Sequence, residues 1–358
     1  MHKTLLALAM LGGLAHAADP ASAPALKHAQ VQSSGRVEAG KDSWRATWPG
    51  TVLTTRFDGS AIGFKIDDGM NSYVAEIDGK PAKTIMPARG ERTIWLRDLP
   101  AGAHTLQLIK RTESPEVPGT VSGFALDGGH WLPAPAPARR QIEFIGDSWT
   151  AALASLSDVR ECSWDKVRDT TDITQGFAVQ VARHYGADWQ INAMSGMGMN
   201  RNWDGNLPDR NYRTFYPRLL QNDAASKAAV PGWKPQVVVI GLGTNDFSAA
   251  IKGSEKWTRD SLTAAYKTGF KELVASVRQR YGDAQIIATA HYLWPDDALR
   301  PLIKQLVDEA RAAGDSRISG VEYNDLKLTA CQWHPDLNDH RNMAATLEEA
   351  IDGLKIYN

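Results

Sequence analysis

Four residues, far apart in the chain, carry groups that together could transfer an acyl group. The run FIGDSWT, residues 144–150, sets Ser148 directly after a short apolar stretch. INAMSGMGMN places Gly196 and Gly198 after a second such stretch, and VVVIGLGTNDFS places Asn245 and Asp246 after a third. CQWHPDLNDHRNMA supplies His334 near the C-terminus. A serine hydroxyl is a weak nucleophile until a base takes its proton, and imidazole is such a base near neutral pH. Hydrolysis of an ester passes through a tetrahedral intermediate whose negative oxygen needs donors fixed in advance. The backbone N–H groups of Ser148 and Gly196 can supply two, and the Asn245 side-chain amide a third. The chemistry indicated is ester hydrolysis through an acyl-enzyme, with His334 taking the serine proton and later activating water. It requires no metal and no organic cofactor. His340 does not form a metal pair with His334, since no further His, Cys or acidic cluster completes a ligand set. It reads as a helix-start residue, His291 as structural, and Asp147 and Asp246 as braces of the strand-end loops.

These groups have to be held by strand ends. QIEFIG, PQVVVIGLG and AQIIATAHY are short buried-strand runs, with a further strand over residues 190–192. FAVQVARHYG, SLTAAYKTGFKELVASVRQRYG and LRPLIKQLVDEARAAG are helical stretches between and after them, and another helix is expected from about Asp339. Strands alternating with helices predict a parallel sheet covered on both faces, with its functional groups at the carboxyl edge. Residues 37 to 126 differ. Apolar residues alternate there, and turn signals recur at Asp58-Gly59, Asp78-Gly79-Lys80 and Pro100-Ala101-Gly102, which predicts an antiparallel, jelly-roll-like β-sandwich. Between the two lies HWLPAPAPARR, where alternating Pro and Ala stiffen the chain. The expected plan is a β-sandwich domain over 28–130, a linker over 131–140, and a three-layer α/β/α domain over 141–358.

The chain has 358 residues, 43% hydrophobic and 23% charged, so it can bury substantial cores. Forty basic against 41 acidic residues give no reason to expect nucleic acid or an anionic membrane as partner. Residues 1–17 read as a signal peptide: Lys3, an apolar stretch from Leu5 to Leu14, then Ala15-His16-Ala17 as a cleavage pattern. The expected product is secreted, periplasmic or extracellular, and soluble. Two cysteines, Cys162 and Cys331, allow one disulfide or two buried thiols. The sequence leaves the oligomeric state open.

Gly146-Asp147-Ser148, then Gly196, then Gly243-Thr244-Asn245-Asp246, then Trp333-His334-Pro335, is an ordered set of blocks that closely resembles the SGNH (GDSL-type) hydrolase superfamily. A sandwich ahead of that domain, with GTNDFS, WHP and His340 through Ala344, is similar to carbohydrate esterase family 2. The resemblance implies an SGNH fold and deacetylation of sugar esters: acetylated xylan, mannan or glucoside units. The pattern departs at the acid. The superfamily's aspartate, three residues before the histidine, is Cys331 here, and the family's, two residues before, is Gln332. A Ser148–His334 dyad follows, its histidine oriented by the Gln332 side chain or a backbone carbonyl, with Asp336 and Asp339 as nearby carboxylates. A Cys162–Cys331 bridge would pin the histidine loop to the segment after Ser148. Of 12 tryptophans, Trp149, Trp203, Trp294 and Trp333 flank the site loops and have rings suited to stacking on sugar faces, Trp333 foremost. Two other readings stand beside the sugar esterase: an SGNH esterase acting on lipid or peptidoglycan acyl esters, and a non-catalytic carbohydrate-binding protein with a degenerate hydrolase domain.

Overall fold

The computed structural model describes residues 30–357, so the leader expected over 1–17 lies outside the described residues. Eleven strands come first: β1 (Gln32–Ser34), β2 (Glu38–Ala39), β3 (Trp44–Ala46), β4 (Val52–Asp58), β5 (Ile62–Asp68), β6 (Tyr73–Ile77), β7 (Lys80–Ile85), β8 (Ala88–Leu96), β9 (Ala103–Lys110), β10 (Gly119–Leu126) and β11 (His130–Leu132). They form two antiparallel sheets, β1-β4-β9-β6-β7 with β11 also on β4, and β2-β3-β10-β5-β8. The alternating residues Phe57, Phe64, Leu106, Leu108 and Phe124 meet between the sheets as a closed apolar core. The β6–β7 turn has Asp78 at φ 52° and Gly79 at φ 76°, the paired left-handed conformations of a tight hairpin.

One boundary is corrected. The stretch read as linker over 131–140 gives its first two residues to β11, which pairs with β4 at Arg56 to Asp58. β1 covers the same edge of β4 only at Val52 to Thr54, so the rest of that edge is left for a returning strand. The Pro/Ala run starts after it.

The second half carries β12 (Gln141–Gly146), β13 (Asp188–Ala193), β14 (Val237–Gly241), β15 (Gln285–His291) and β16 (Ile318–Tyr323). All are parallel, in the order β13-β12-β14-β15-β16. Helices α1 (Trp164–Thr170), α2 (Phe177–His184), α3 (Tyr212–Phe215), α4 (Thr244–Phe247), α5 (Arg259–Tyr281) and α6 (Leu299–Ala312) fill the connections, and α7 (Leu337–Gly353) follows the last strand. Two apolar clusters cover the sheet, one gathering α5 and α6, the other α2 and α7. The strand order reverses between β12 and β14, so the crevice for a ligand opens where Ser148 and Asn245 emerge.

The sandwich is fused to this sheet by polar contacts. The Ser34 hydroxyl donates to the Trp189 carbonyl at 2.7 Å, and the Trp189 indole N–H to Gly50 O at 2.8 Å. Arg36 reaches further, beside Glu143 in the middle of β12, 3.6 Å from its carboxylate. Both side chains are wholly buried, and the Tyr216 hydroxyl and Asn192 amide complete the cage around Glu143 Oε1 at 2.9 and 2.7 Å. A charge buried in a central strand persists only when it is paired and hydrogen-bonded in this way.

Candidate active site

Ser148 follows β12 at the start of a tight turn. The turn must pass close under its neighbours: a Cβ at Gly146 would lie 2.0 Å from Thr150 Oγ1, so only glycine fits. Asp147 anchors the turn, its carboxylate accepting the Trp149 N–H at 3.1 Å and its carbonyl the Ala151 N–H at 2.9 Å. Burial pushes the Asp147 carboxyl up to about 7.

His334 lies 2.9 Å from Ser148 Oγ through Nε2, and 2.9 Å from the Cys331 carbonyl through Nδ1. A carbonyl only accepts, so Nδ1 carries the hydrogen and Nε2 presents its lone pair to the serine hydroxyl. Burial lowers the His334 pKa, partly opposed by that carbonyl, and the ring is therefore a neutral base. The expected orienting role of the Gln332 side chain is corrected here. Gln332 and Trp333 both have left-handed backbones, φ 56° and 58°, and this turn leaves the Gln332 side chain exposed to solvent while a main-chain oxygen faces the imidazole. Asp336 and Asp339 are occupied elsewhere. Asp336 caps α7 by accepting the Asn338 and Asp339 N–H groups, and Asp339 takes Lys327 N and Leu328 N at 2.7 and 2.8 Å.

The histidine loop is gripped from outside by the segment that follows Ser148. Cys162 and Cys331 are joined by a disulfide, Cα–Cα 5.6 Å. The Arg160 carbonyl accepts Gln332 N–H at 2.7 Å, its guanidinium donates to Leu328 O and Lys327 O at 2.9 Å each, and it lies 5.8 Å from the Trp333 ring centre.

On the other side of Ser148, the Gly196 loop is laid down by Asp246, which accepts the N–H groups of Met199, Asn200 and Arg201 at 2.7, 2.8 and 2.9 Å. Gly196 has φ 76° and its carbonyl accepts Trp203 N–H at 2.9 Å. Among the described residues the N–H groups of Ser148 and Gly196 have no protein acceptor. Asn245 differs from expectation. Its amide nitrogen donates to Met197 O at 3.0 Å and to Asp147 Oδ2 at 3.2 Å, so it braces the two loops and reaches an oxyanion only by sharing one of those hydrogens.

The tryptophans divide. Trp203, Trp294 and Trp333 are 53%, 78% and 60% exposed and stand on the loops around the site. Trp149 is buried, stacked on His291 with ring centres 3.7 Å apart, and borders a separate cavity of about 280 Å³ lined also by Tyr292, Arg300 and Asn324. It is packing under the serine turn first. His340 is wholly buried in α7, where Nδ1 accepts the Phe177 N–H at 3.3 Å. Two residues beside the site were missed by the sequence reading: Arg160, and Glu113, whose carboxylate accepts the Ser195 N–H at 3.1 Å. Each is a charged residue in a surface-like sequence context, and no short motif marks it.

These features set a serine hydroxyl at a parallel strand end against the free nitrogen of a neutral imidazole, the arrangement of a hydrolase site, and the comparisons specify its class. Residues 33–135 match the family described as Carbohydrate esterase 2 N-terminal, and residues 144–348 the GDSL-like Lipase/Acylhydrolase family. The chain is 33% identical over 306 residues to an acetylxylan esterase / glucomannan deacetylase of Cellvibrio japonicus, covering 85% of this chain and 84% of that one. It is 30% identical to the cellulase/esterase CelE of Acetivibrio thermocellus over 86% of this chain but only 37% of that much longer protein. Its structure resembles a family two carbohydrate esterase from Clostridium thermocellum in complex with cellohexaose, with TM-score 0.83, 29% identity, and coverage of 92% of this chain and 100% of that chain. The chain belongs to carbohydrate esterase family 2 within the GDSL-like hydrolases, and is a carbohydrate esterase.

Proposed function

We propose that the protein removes O-acetyl groups from polysaccharides or oligosaccharides of the xylan, mannan or glucoside type through an acyl-enzyme on Ser148. The observation that carries the mechanism is the 2.9 Å contact of Ser148 Oγ with an imidazole whose other nitrogen is tied to a carbonyl. Ser148 attacks the acetyl carbonyl while Nε2 takes its proton, and the oxyanion forms against the Ser148 and Gly196 N–H groups. The protonated imidazole gives its proton to the departing sugar hydroxyl. It then takes one from water, whose attack releases acetate and frees the serine. The substrate class is supported by the names of the relatives and by three exposed indoles around the site. Export is part of the proposal, supported by the leader-like residues 1–17 and by the disulfide.

The test is acetate release from 4-nitrophenyl acetate and from acetylated xylan, comparing wild type with Ser148→Ala. The proposal expects release from both, reduced at least ~10³-fold in the variant. Turnover of the small ester alone removes the sugar substrate and leaves the mechanism. A second reading, glycan binding without turnover, draws on the missing carboxylate at His334. It also draws on a 31% identical carbohydrate esterase whose active site is described as displaying divergent catalytic and non-catalytic binding functions. It predicts binding of cellohexaose or xylan with no acetate from either ester.

A further inference from the structure

We infer that Glu113, a residue of the sandwich, is a positioning residue for the oxyanion-binding peptide, so that both halves of the chain build one active site. The inference rests on the acyl-enzyme reading above.

The peptide joining Ser195 to Gly196 carries the Gly196 N–H. It is held by contacts on either side. The Ser195 N–H donates to both carboxylate oxygens of Glu113, at 3.1 Å each, and the Gly196 carbonyl accepts from Trp203 N at 2.9 Å. The Met197 N–H also closes the turn on Met194 O at 3.3 Å, but that bond spans the turn and leaves its central peptide free to rotate. Gly196 has φ 76°, and a Cβ built there would meet no atom within 4 Å. A glycine in open space can turn its peptide over at small cost, and a turned peptide would offer a carbonyl where the oxyanion needs a donor. Glu113 on one side and Trp203 N–H on the other limit that rotation, and with it the direction of the Gly196 N–H.

Glu113 is itself rigidly mounted. It lies three residues beyond Lys110, the end of β9, and its neighbours are pinned by a buried polar cluster. The Lys110 ammonium donates to Thr112 O at 2.7 Å, Thr47 O at 3.0 Å and Asn71 Oδ1 at 2.9 Å. The Thr112 hydroxyl donates to Asn71 Oδ1 at 3.1 Å, Asn71 donates to Ser114 Oγ at 2.8 Å, and Ser114 N to Thr47 O at 3.1 Å. Asp68 closes the cluster, accepting from Asn71 and the Tyr73 hydroxyl. A polar network of this kind has few arrangements open to it, so the carboxylate it carries arrives in one place. Burial pushes the Glu113 carboxyl up, and the Ser195 side chain and N–H oppose that shift.

The experiment uses the full chain. kcat and KM for 4-nitrophenyl acetate, and the rate of inactivation by a 4-nitrophenyl alkylphosphonate, are measured for wild type, Glu113→Ala, Glu113→Asp and Glu113→Gln, with thermal melting alongside. The phosphonyl oxygen occupies the oxyanion position, so its rate reads the donors directly. Glu113→Ala lowers kcat and the inactivation rate together by at least ~10-fold, with KM within about 3-fold. Glu113→Gln keeps an acceptor oxygen and stays within about 3-fold of wild type. Glu113→Asp is one methylene shorter and loses rate as the alanine variant does, and it carries the test if that variant does not fold. Wild-type kcat in Glu113→Ala or in a folded Glu113→Asp overturns the inference. So does a Glu113→Gln variant that loses as much as alanine with a raised KM, because the charge would then be acting on substrate. A wild type unable to hydrolyse the ester overturns the acyl-enzyme reading and this inference with it. An active wild type with an unaffected alanine variant overturns the inference alone.

Discussion

At His334 a main-chain carbonyl stands where a carboxylate would, and that exchange separates two jobs usually done by one group. The Cys331 carbonyl fixes the tautomer and ring orientation through its 2.9 Å contact with Nδ1. It brings no full negative charge to stabilise the imidazolium, and burial pushes the same way, lowering the pKa. Activity needs the neutral ring, so it is present above the His334 pKa and lost as pH falls through it. The acid limb of kcat/KM is expected below the ordinary histidine value of about 6.5. A pH–rate series on 4-nitrophenyl acetate checks it, and a midpoint above 6.5 would contradict the buried neutral base. Gln332→Ala should keep kcat within about 3-fold, since that side chain does not face the ring. Steady-state kinetics decide this, and a 100-fold loss would restore the side chain to the site. The serine, the glycine and the histidine were legible because short blocks at strand ends announce them. The orienting group was not, because it depends on two left-handed residues, Gln332 and Trp333, that no composition signal marks.

Between strand β16 and helix α7 the chain makes the loop that carries the base, and its shape is imposed from the segment after Ser148. The Cys162–Cys331 bridge closes a loop of 169 residues, for which chain-entropy reasoning gives a stabilisation of about 5 kcal/mol. Reduction, or the paired change Cys162→Ser with Cys331→Ser, should lower the urea midpoint accordingly. It should also reduce kcat by about 10-fold, because the carbonyl facing Nδ1 belongs to Cys331 itself. Arg160→Ala should lower kcat in the same direction while leaving the disulfide intact, as thiol titration of the unreduced protein would show. An unchanged kcat in both variants would mean that the loop holds its own conformation. The elements here were readable from their periods: α2, α5 and α6 fall on the expected helical stretches, and β4 to β9 flank the expected turns. The strand at His130–Leu132 escaped because its reason lies on a distant edge of β4.

Across the molecule, the sandwich and the hydrolase half are joined through a charge pair that neither could bury alone. Removing the cation by Arg36→Met leaves Glu143 uncompensated in the central strand, with an expected loss of about 3–5 kcal/mol in urea unfolding. Adding Glu143→Met should recover much of that loss, and a double variant no better than the single one would mean the pair is not what joins the halves there. The two-domain plan could be seen in the change from alternating to helical periods. The seam could not, since Arg36 reads as a surface residue until β12 is placed beside it.

Ser148 and His334 are separated by 186 residues, and the carbonyl that orients the base comes three residues before it. During synthesis the sandwich, with Glu113 already mounted, emerges first, and the serine follows long before its partner exists. On the acyl-enzyme reading a nascent chain carries a nucleophile with no base, and a chain arrested before His334 is expected to show no esterase activity, the scaffold having had its chance to fold first.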